Sequence, residues 1–282
     1  MSRPRILLTG ASGLLGTALR PELERQGEVV APGLDAFDLG RPGTVAAIVH
    51  ETRPEIIVHL AADTRVDRCE EHPRDAFLVN TEGTIHLAHA ARRQSSRVVL
   101  LSTDYVFDGA ARTPYREYEK TNPLSVYGRS KREAERALLA ILPDRLVIRS
   151  SSLFGAAGAN FVDTILKLAR SDAPLRVVDD QVQSPTFAGH LAPAIACAAL
   201  SRAQGILHLS GGGSCTWIEF ARAILAAAGV DRACEPVASA AFGRPAPRPA
   251  YSVLDGSLAE SLLGLRLPAW QEGLLAYMKG GR

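Results

Sequence analysis

The segment Tyr127-Gly128-Arg129-Ser130-Lys131 sets a phenol and an ammonium four residues apart. On a helix such a pair shares one face. The ammonium favours the phenolate and so lowers a phenol pKa that starts near ~10. A tyrosine tuned in this way gives a proton to, or takes one from, a hydroxyl or carbonyl oxygen. Upstream, Ser102-Thr103-Asp104-Tyr105-Val106-Phe107-Asp108-Gly109 follows the apolar run Val98-Val99-Leu100-Leu101. A bounded apolar run of that length reads as a buried strand. Its C-terminal edge is where an open parallel sheet places ligands. Ser102 or Thr103 supplies a hydroxyl donor for the same oxygen. Together the three groups suit carbonyl–alcohol interconversion with a hydride carrier. Tyr-x-x-x-Lys alone also describes an ordinary exposed pair. The strand-end cluster and an N-terminal glycine loop favour the chemical reading.

The elements that must position these groups alternate along the chain. Ile6-Leu7-Leu8 reads as a short buried strand. Thr9-Gly10-Ala11-Ser12-Gly13-Leu14-Leu15-Gly16 follows, then a helix to about Gln26 that Pro21 should kink or shorten. In this Gly-x-x-Gly-x-x-Gly loop the first glycine permits the turn, the second admits a pyrophosphate and the third brings helix to sheet. The helix N-terminus then faces the anion. Val29-Val30-Ala31 is the second strand. Its end carries Pro32-Gly33 where an acid often binds the ribose 2′-hydroxyl, and the nearest acids are Asp35 and Asp38. A 2′-phosphate is not repelled there, and no arginine demands it. NADPH or NADH is therefore the expected cofactor, with a lean to NADPH.

A helix over 42–53 leads to the third strand, Ile56-Ile57-Val58-His59-Leu60, which ends in Ala61-Ala62. The polar segment Asp63-Thr64-Arg65-Val66-Asp67 then lies at the sheet edge. His59 reads as a satisfied core histidine. A helix from Pro73 to Gln94 carries Asn80, either as a cap or kink element or as a polar link to the active-site strand. Asn122 is expected to cap the Tyr127 helix, with Pro123 in its first turn. Arg145-Leu146-Val147-Ile148-Arg149 is a further strand. The alternation predicts an α/β fold, a doubly wound parallel (Rossmann) sheet. Beyond 155 the elements shorten: a helix from Phe161 to Arg170, a strand at 175–178, a packed helix from Leu191 to Leu200, a strand near 205–210, a helix from Thr216 capped by that residue, and an irregular loop from Pro236 to Pro249. We expect a dinucleotide-binding domain over 1–150, with the helix at 188–202 packing back on it. The remainder of 151–282 should form a smaller α/β substrate lobe.

The chain has 282 residues, 46% hydrophobic and 22% charged, with a formal net charge of +2. No basic block stands out, which argues against nucleic acid as a partner. Cys69, Cys197, Cys215 and Cys234 show no metal-like spacing and suit reduced thiols in the cytoplasm. Met1-Ser2-Arg3-Pro4-Arg5 is followed by too short an apolar run for a secretory signal. Leu191 to Leu200 is about half the length of a membrane span.

These residues carry a resemblance. Thr9-Gly10-x-x-Gly13-x-x-Gly16 with Tyr127-x-x-x-Lys131 resembles the extended short-chain dehydrogenase/reductase superfamily. The strand-end octapeptide, Asp180-Gln181-x-x-Ser184-Pro185-Thr186, and Arg248-Pro249-Ala250-Tyr251-Ser252-Val253-Leu254-Asp255 resemble the dTDP-4-dehydrorhamnose reductase family over nearly the whole chain. The resemblance implies an NAD(P)H-dependent reductase acting at C4 of a nucleotide-linked 4-keto-6-deoxy sugar. It implies Tyr127 as proton donor, Lys131 as its pKa-lowering and ribose-holding partner, and Thr103 as the group that orients the keto oxygen. Gly10, Gly13, Leu14, Leu15, Gly16, Asp38, Leu39, Ala61, Ala62 and Asp63 match cofactor-contact segments. Val66, Asp67, Asp104, Tyr105, Ser152 and Arg248 are the implied sugar-nucleotide contacts.

Two departures stand out. The family's tryptophan after Arg-Thr-Ser is Ser152 here, so one aromatic wall of the sugar pocket is missing. A glutamate that some members use for a magnesium-bridged dimer is Ala18, so no metal is expected, although a homodimer is allowed. The competing readings are a nucleotide-sugar epimerase or dehydratase on the same scaffold, and a non-catalytic cofactor-binding regulatory subunit like that of methionine adenosyltransferase.

Overall fold

The computed structural model describes residues 3–171 and 173–280; Met1 and Ser2, from the basic start of the chain, lie outside the described residues. Its centre is a six-stranded sheet built from β1 (Arg5–Thr9), β2 (Glu28–Val30), β3 (Ile56–His59), β4 (Arg97–Thr103), β5 (Arg145–Ser150) and β6 (Gly205–His208). The order is β6-β5-β4-β3-β1-β2, and every pairing is parallel. The order reverses between β1 and β3. At such a switch point the connections leave to opposite faces, and a crevice opens beyond the strand ends.

Strand side chains alternate between two cores, as the period of two requires. Ile6, Leu8, Val58, Val99 and Ile148 face α1 (Leu14–Gln26) and the alanine-rich helix Ala188–Leu200. Leu7, Ile57, Val98, Leu100 and Val147 face α2 (Pro42–Thr52), α3 (Gly83–Gln94) and α4 (Val126–Ile141). Pro21 does not stop α1, which runs unbroken through it. Pro21 and Thr17 both lie on the exposed side, where water satisfies the carbonyl that proline leaves unpaired.

The expected boundary at 150 is crossed twice. The helix Ala188–Leu200, now α5, packs on α1, and β6 joins the central sheet beside β5. The second lobe is built on Phe154, Val162, Ile165, Phe220, Trp270 and Tyr277. Its strand pairs are short: Leu175–Val178 with Cys234–Val237, and Val182–Gln183 with Cys215–Thr216. Among the described residues no helix is long and apolar enough to cross a membrane.

Candidate active site

The turn after β1 is shaped by steric need. Gly10 has φ +72°, and a Cβ on it would sit 2.7 Å from the Ala61 amide nitrogen. A Cβ on Gly16 would overlap the Gly10 carbonyl and Ala11. Gly13 begins α1 with no side-chain cap, and the first turn has no acid. The amides there remain free for an anion, and the helix dipole adds to their pull. A cleft of about 650 Å³ starts here. Gly10, Gly13, Leu14, Leu15, Gly16, Asp38, Leu39, Ala61 and Ala62 line its near end. Val66, Thr103, Asp104, Tyr105, Tyr127 and Ser152 line its far end.

Tyr127 is brought to Thr103 by α4. Ser125 caps this helix, its Oγ accepting from the Gly128 amide at 3.1 Å. The expected cap, Asn122, is used elsewhere: its amide bonds to Val106 O at 3.0 Å and its side chain reaches Asp108. The segment before α4 is thus stitched to the octapeptide, so the helix starts later than Pro123 suggested. Gly128 admits this contact, since a Cβ there would overlap Tyr105 O.

The sequence left open whether Ser102 or Thr103 serves the reacting oxygen. Thr103 lines the cleft together with Tyr127 and acts on its phenol. The Ser102 side chain instead donates to Glu135. Thr103 Oγ1 also donates to Asp104 Oδ1 at 3.0 Å, and Ser151 Oγ donates to Asp104 Oδ2 at 2.8 Å. Burial pushes the Asp104 carboxyl up to about 6 against the pull of hydrogen bonds from Ser252, Ser151 and Thr103. Tyr105 stands edge-on to Tyr127, with ring centroids 6.1 Å apart.

The pair's electrostatics differ from expectation. Burial raises the Tyr127 phenol above its ordinary value, and the Asp104 charge adds to the rise. The lowering expected from Lys131 is not seen. Lys131 is itself buried, 3% exposed, and burial brings its ammonium down to about 8 against the raising field of Glu135. Lys131 lies behind the cleft wall near His59. Burial and that ammonium hold His59 down to about 3. The neutral ring bridges Thr9 Oγ1 at 2.7 Å and Thr84 Oγ1 at 3.2 Å, as a core histidine should.

Asn80 stands at an irregular turn of its helix, and the polar link it makes goes to the helix of the catalytic pair and not to the active-site strand. It sits in a π-helical turn, Leu78–Glu82, that interrupts the expected helix. Its Oδ1 accepts from the Asp63 amide at 2.8 Å, and its Nδ2 donates to Ser130 Oγ at 3.0 Å. It therefore ties the segment after β3 to the helix of Tyr127 and Lys131. Asp63 and Asp67 do not line the cleft with the others. The Asp63 carboxylate is taken by Arg65 and Arg68 at 2.9 and 2.7 Å. Asp67 pairs through both oxygens with Arg248, at 3.0 and 2.9 Å.

Arg248 faces a second cavity of about 550 Å³. Tyr105 and Trp217 line both spaces, so the two adjoin. Phe161, Trp217 and Phe242 supply rings to it, and Arg176, Arg244 and Arg248 supply cations. Sequence reading missed the first five of these six. The expected irregular loop contributes Phe242 to Arg248, so its lack of pattern hid its use. The first residue of the helix Trp217–Ala227 is Trp217, directly after the capping Thr216. A large aromatic at a helix start, rather than on its buried stripe, was the available signal.

Residues 4–281 match the family model described as the RmlD substrate binding domain. A dTDP-4-dehydrorhamnose reductase of Streptomyces griseus is 44% identical over 90% of this chain and 86% of its own length. A probable dTDP-4,6-dihydroxy-2-methyloxan-3-one 4-ketoreductase of Streptomyces antibioticus is 43% identical over 89% and 86%. The crystal structure of the Bacillus anthracis dTDP-4-dehydrorhamnose reductase in complex with NADP superposes with a TM-score of 0.95 at 34% identity, covering 99% of both chains. On the full-length match to the family model and the level of identity to these enzymes, the chain belongs to the RmlD substrate binding domain family of nucleotide-sugar reductases.

Proposed function

We propose that the protein is an NAD(P)H-dependent reductase that converts dTDP-4-dehydro-L-rhamnose to dTDP-L-rhamnose. The observation that carries this reading is the junction at Tyr105 and Trp217. There the cleft running from the glycine turn to Thr103 and Tyr127 meets the aromatic and arginine-lined cavity. The first space suits a dinucleotide, and the second suits a base and a diphosphate. The glycine turn fits the cofactor, because its uncapped helix-start amides are left for a pyrophosphate and only glycine at positions 10 and 16 lets the turn close against Ala61, the Gly10 carbonyl and Ala11. Ser150 also lines the cleft, and its Oγ is buried with no hydrogen-bond partner among the described residues. Asp38 is engaged by the Gly40 amide and by Arg41. The carboxylate that lines the cleft there is thus already paired, and Asp35 does not line it, which supports NADPH over NADH. The domain split that supports this reading is a nucleotide-binding core completed by α5 and β6, with the rest of 151–282 holding substrate. The four free cysteines support a cytoplasmic location.

The bound cofactor supplies a hydride to the keto carbon. Tyr127 supplies the proton to the oxygen. Its raised pKa keeps the phenol protonated at neutral pH, the form that reduction needs, and an alkoxide is basic enough to take that proton. Lys131, cationic below about 8, stabilises the phenolate left behind. Thr103 Oγ1 orients the keto oxygen by turning from Asp104, which keeps its bond to Ser151. The test is loss of NADPH absorbance with dTDP-4-dehydro-L-rhamnose generated in place, comparing wild type with Tyr127→Phe. Wild type should oxidise cofactor rapidly, and the variant should lose more than about a hundredfold while still binding cofactor. Cofactor binding without oxidation by wild type would sink the assignment.

A further inference from the structure

Glu135 stands one turn beyond Lys131 on α4, 2% exposed, and the proton and hydride steps leave it unused. Its carboxylate joins three elements. It accepts from Ser102 at the end of β4, next to Thr103. It receives both prongs of Arg149 from β5, at 2.9 and 2.7 Å, in an ion pair whose side chains are each 3% exposed. Arg149 is fixed in turn. It lies 5.1 Å from the centre of the Phe107 ring and reaches His208 Nε2 at 3.4 Å. His208 Nδ1 donates to Tyr115 O at 3.1 Å. Two residues past Arg149 comes Ser151, which holds Asp104.

We propose that Glu135 is a positioning residue for the catalytic pair: its carboxylate locks the ends of β4 and β5 to the helix of Tyr127 and Lys131 and supplies the buried counter-charge of the Lys131 ammonium. A buried ion pair is poor at adding stability, since desolvation offsets its Coulomb gain. A bidentate pair is good at fixing geometry. The groups around the site leave the counter-charge role to Glu135. His59 from β3 is neutral, and its ring takes the Lys131 field without answering it. On α4 itself Tyr127 is a neutral phenol. Cys69, from the helix Val66–Glu71, and Tyr105 both face Tyr127 and are held protonated by burial. Asp104, at the end of β4, acts on Tyr127 and Tyr105. Arg149, from β5, is spent on Glu135. Among the described residues, Glu135 is the carboxylate whose field acts on Lys131.

The inference rests on the reductase reading for Tyr127 and Lys131, and the test separates the two. The Lys131 ammonium is titrated by NMR of its ε-carbon in wild type, Glu135→Gln and Glu135→Gln/Arg149→Met, with Lys131→Arg to assign the signal. The same proteins are assayed for kcat against pH. The single variant should titrate about one pH unit lower, and its alkaline limb should move with it. Its kcat should fall roughly tenfold to a hundredfold, with KM nearly unchanged. The double variant removes the stranded Arg149, so it keeps the test readable if the single variant folds poorly, and it should retain the downward shift. Unmoved Lys131 titration in both variants would overturn the counter-charge role. Unmoved kcat would overturn the positioning role. Cofactor binding without NADPH oxidation by the wild type would instead overturn the reductase reading, whatever the titration shows.

Discussion

Ser151 Oγ donates a 2.8 Å hydrogen bond to Asp104 Oδ2, and Thr103 Oγ1 holds the other oxygen at 3.0 Å. A carboxyl so well supplied with donors would ordinarily titrate low. Burial wins, and Asp104 rises from 3.8 to about 6. The folded state therefore binds this proton more tightly than the unfolded chain. The stability it contributes is full below about pH 4 and is lost as the pH rises through about 6. The loss is on the order of 2–3 kcal/mol. Asp104→Asn should raise the thermal midpoint at pH 8 by several degrees, and by much less at pH 4. Activity should fall in the same variant, since a neutral amide no longer organises Thr103 and Tyr105 in the same way. Calorimetry at the two pH values checks the sign. An equal shift at both would contradict the titration.

Gly16 and Gly43 offer a matched pair. Gly16→Ala forces a methyl group into Gly10 O and Ala11, so the turn must open. Cofactor affinity should fall tenfold or more, on the order of 1.4 kcal/mol or above. Gly43 lies on α2 with nothing within 4 Å of its added Cβ. Gly43→Ala should leave binding alone and stabilise the fold by about 0.5–1 kcal/mol. Fluorescence titration with NADPH and thermal melts on both variants distinguish the two effects.

The parts of this site legible in sequence were those set by local rules. The glycine turn, the strand-end octapeptide and the Tyr-x-x-x-Lys spacing each follow from backbone geometry within about ten residues. Residue type and spacing alone therefore pick out the pair Ser102 and Thr103, Tyr127 and the cradle glycines. What escaped was set by long-range burial. The rise of Tyr127 comes from surrounding protein, and the mutual capture of Asp67 and Arg248 spans most of the chain. β6 was legible as a strand but not as a member of the central sheet. Its partner β5 lies more than fifty residues away, across the second lobe. The helix cap moved from Asn122 to Ser125 because Asn122 had a better use against Asp108.

Arg248 and Asp67 form one unit at the wall of the second cavity. The Arg248 charge also acts on Tyr105, which lines both spaces. Arg248→Ala should raise KM for the sugar nucleotide about tenfold or more, with a smaller effect on kcat, because a diphosphate cation is lost. Asp67→Ala should do less, since the guanidinium survives and only its aim loosens. Steady-state kinetics of the two variants and their combination form a cycle. A combined loss equal to the sum would show that the pair does not act as a unit.

Trp217 argues the link between fold and specificity most directly. The residue where the family's tryptophan would stand is Ser152, which has φ +45° and lines the cleft. Trp217 lines the same cleft from the other lobe, braced by Phe161 with ring centroids 4.5 Å apart. An aromatic wall therefore remains, supplied by a helix start instead of a strand end. Trp217→Ala should raise KM for the sugar nucleotide roughly tenfold, whereas Trp217→Phe should recover most of it. Ser152→Trp, which adds the missing ring at a left-handed position, should cost stability of about 1 kcal/mol and narrow the range of sugars accepted. Substrate-induced quenching gives a direct readout: Trp270, the other indole, is 7% exposed in the second core. The quench should vanish with Trp217→Phe and persist with Trp270→Phe, and the reverse pattern would move the substrate away from this wall.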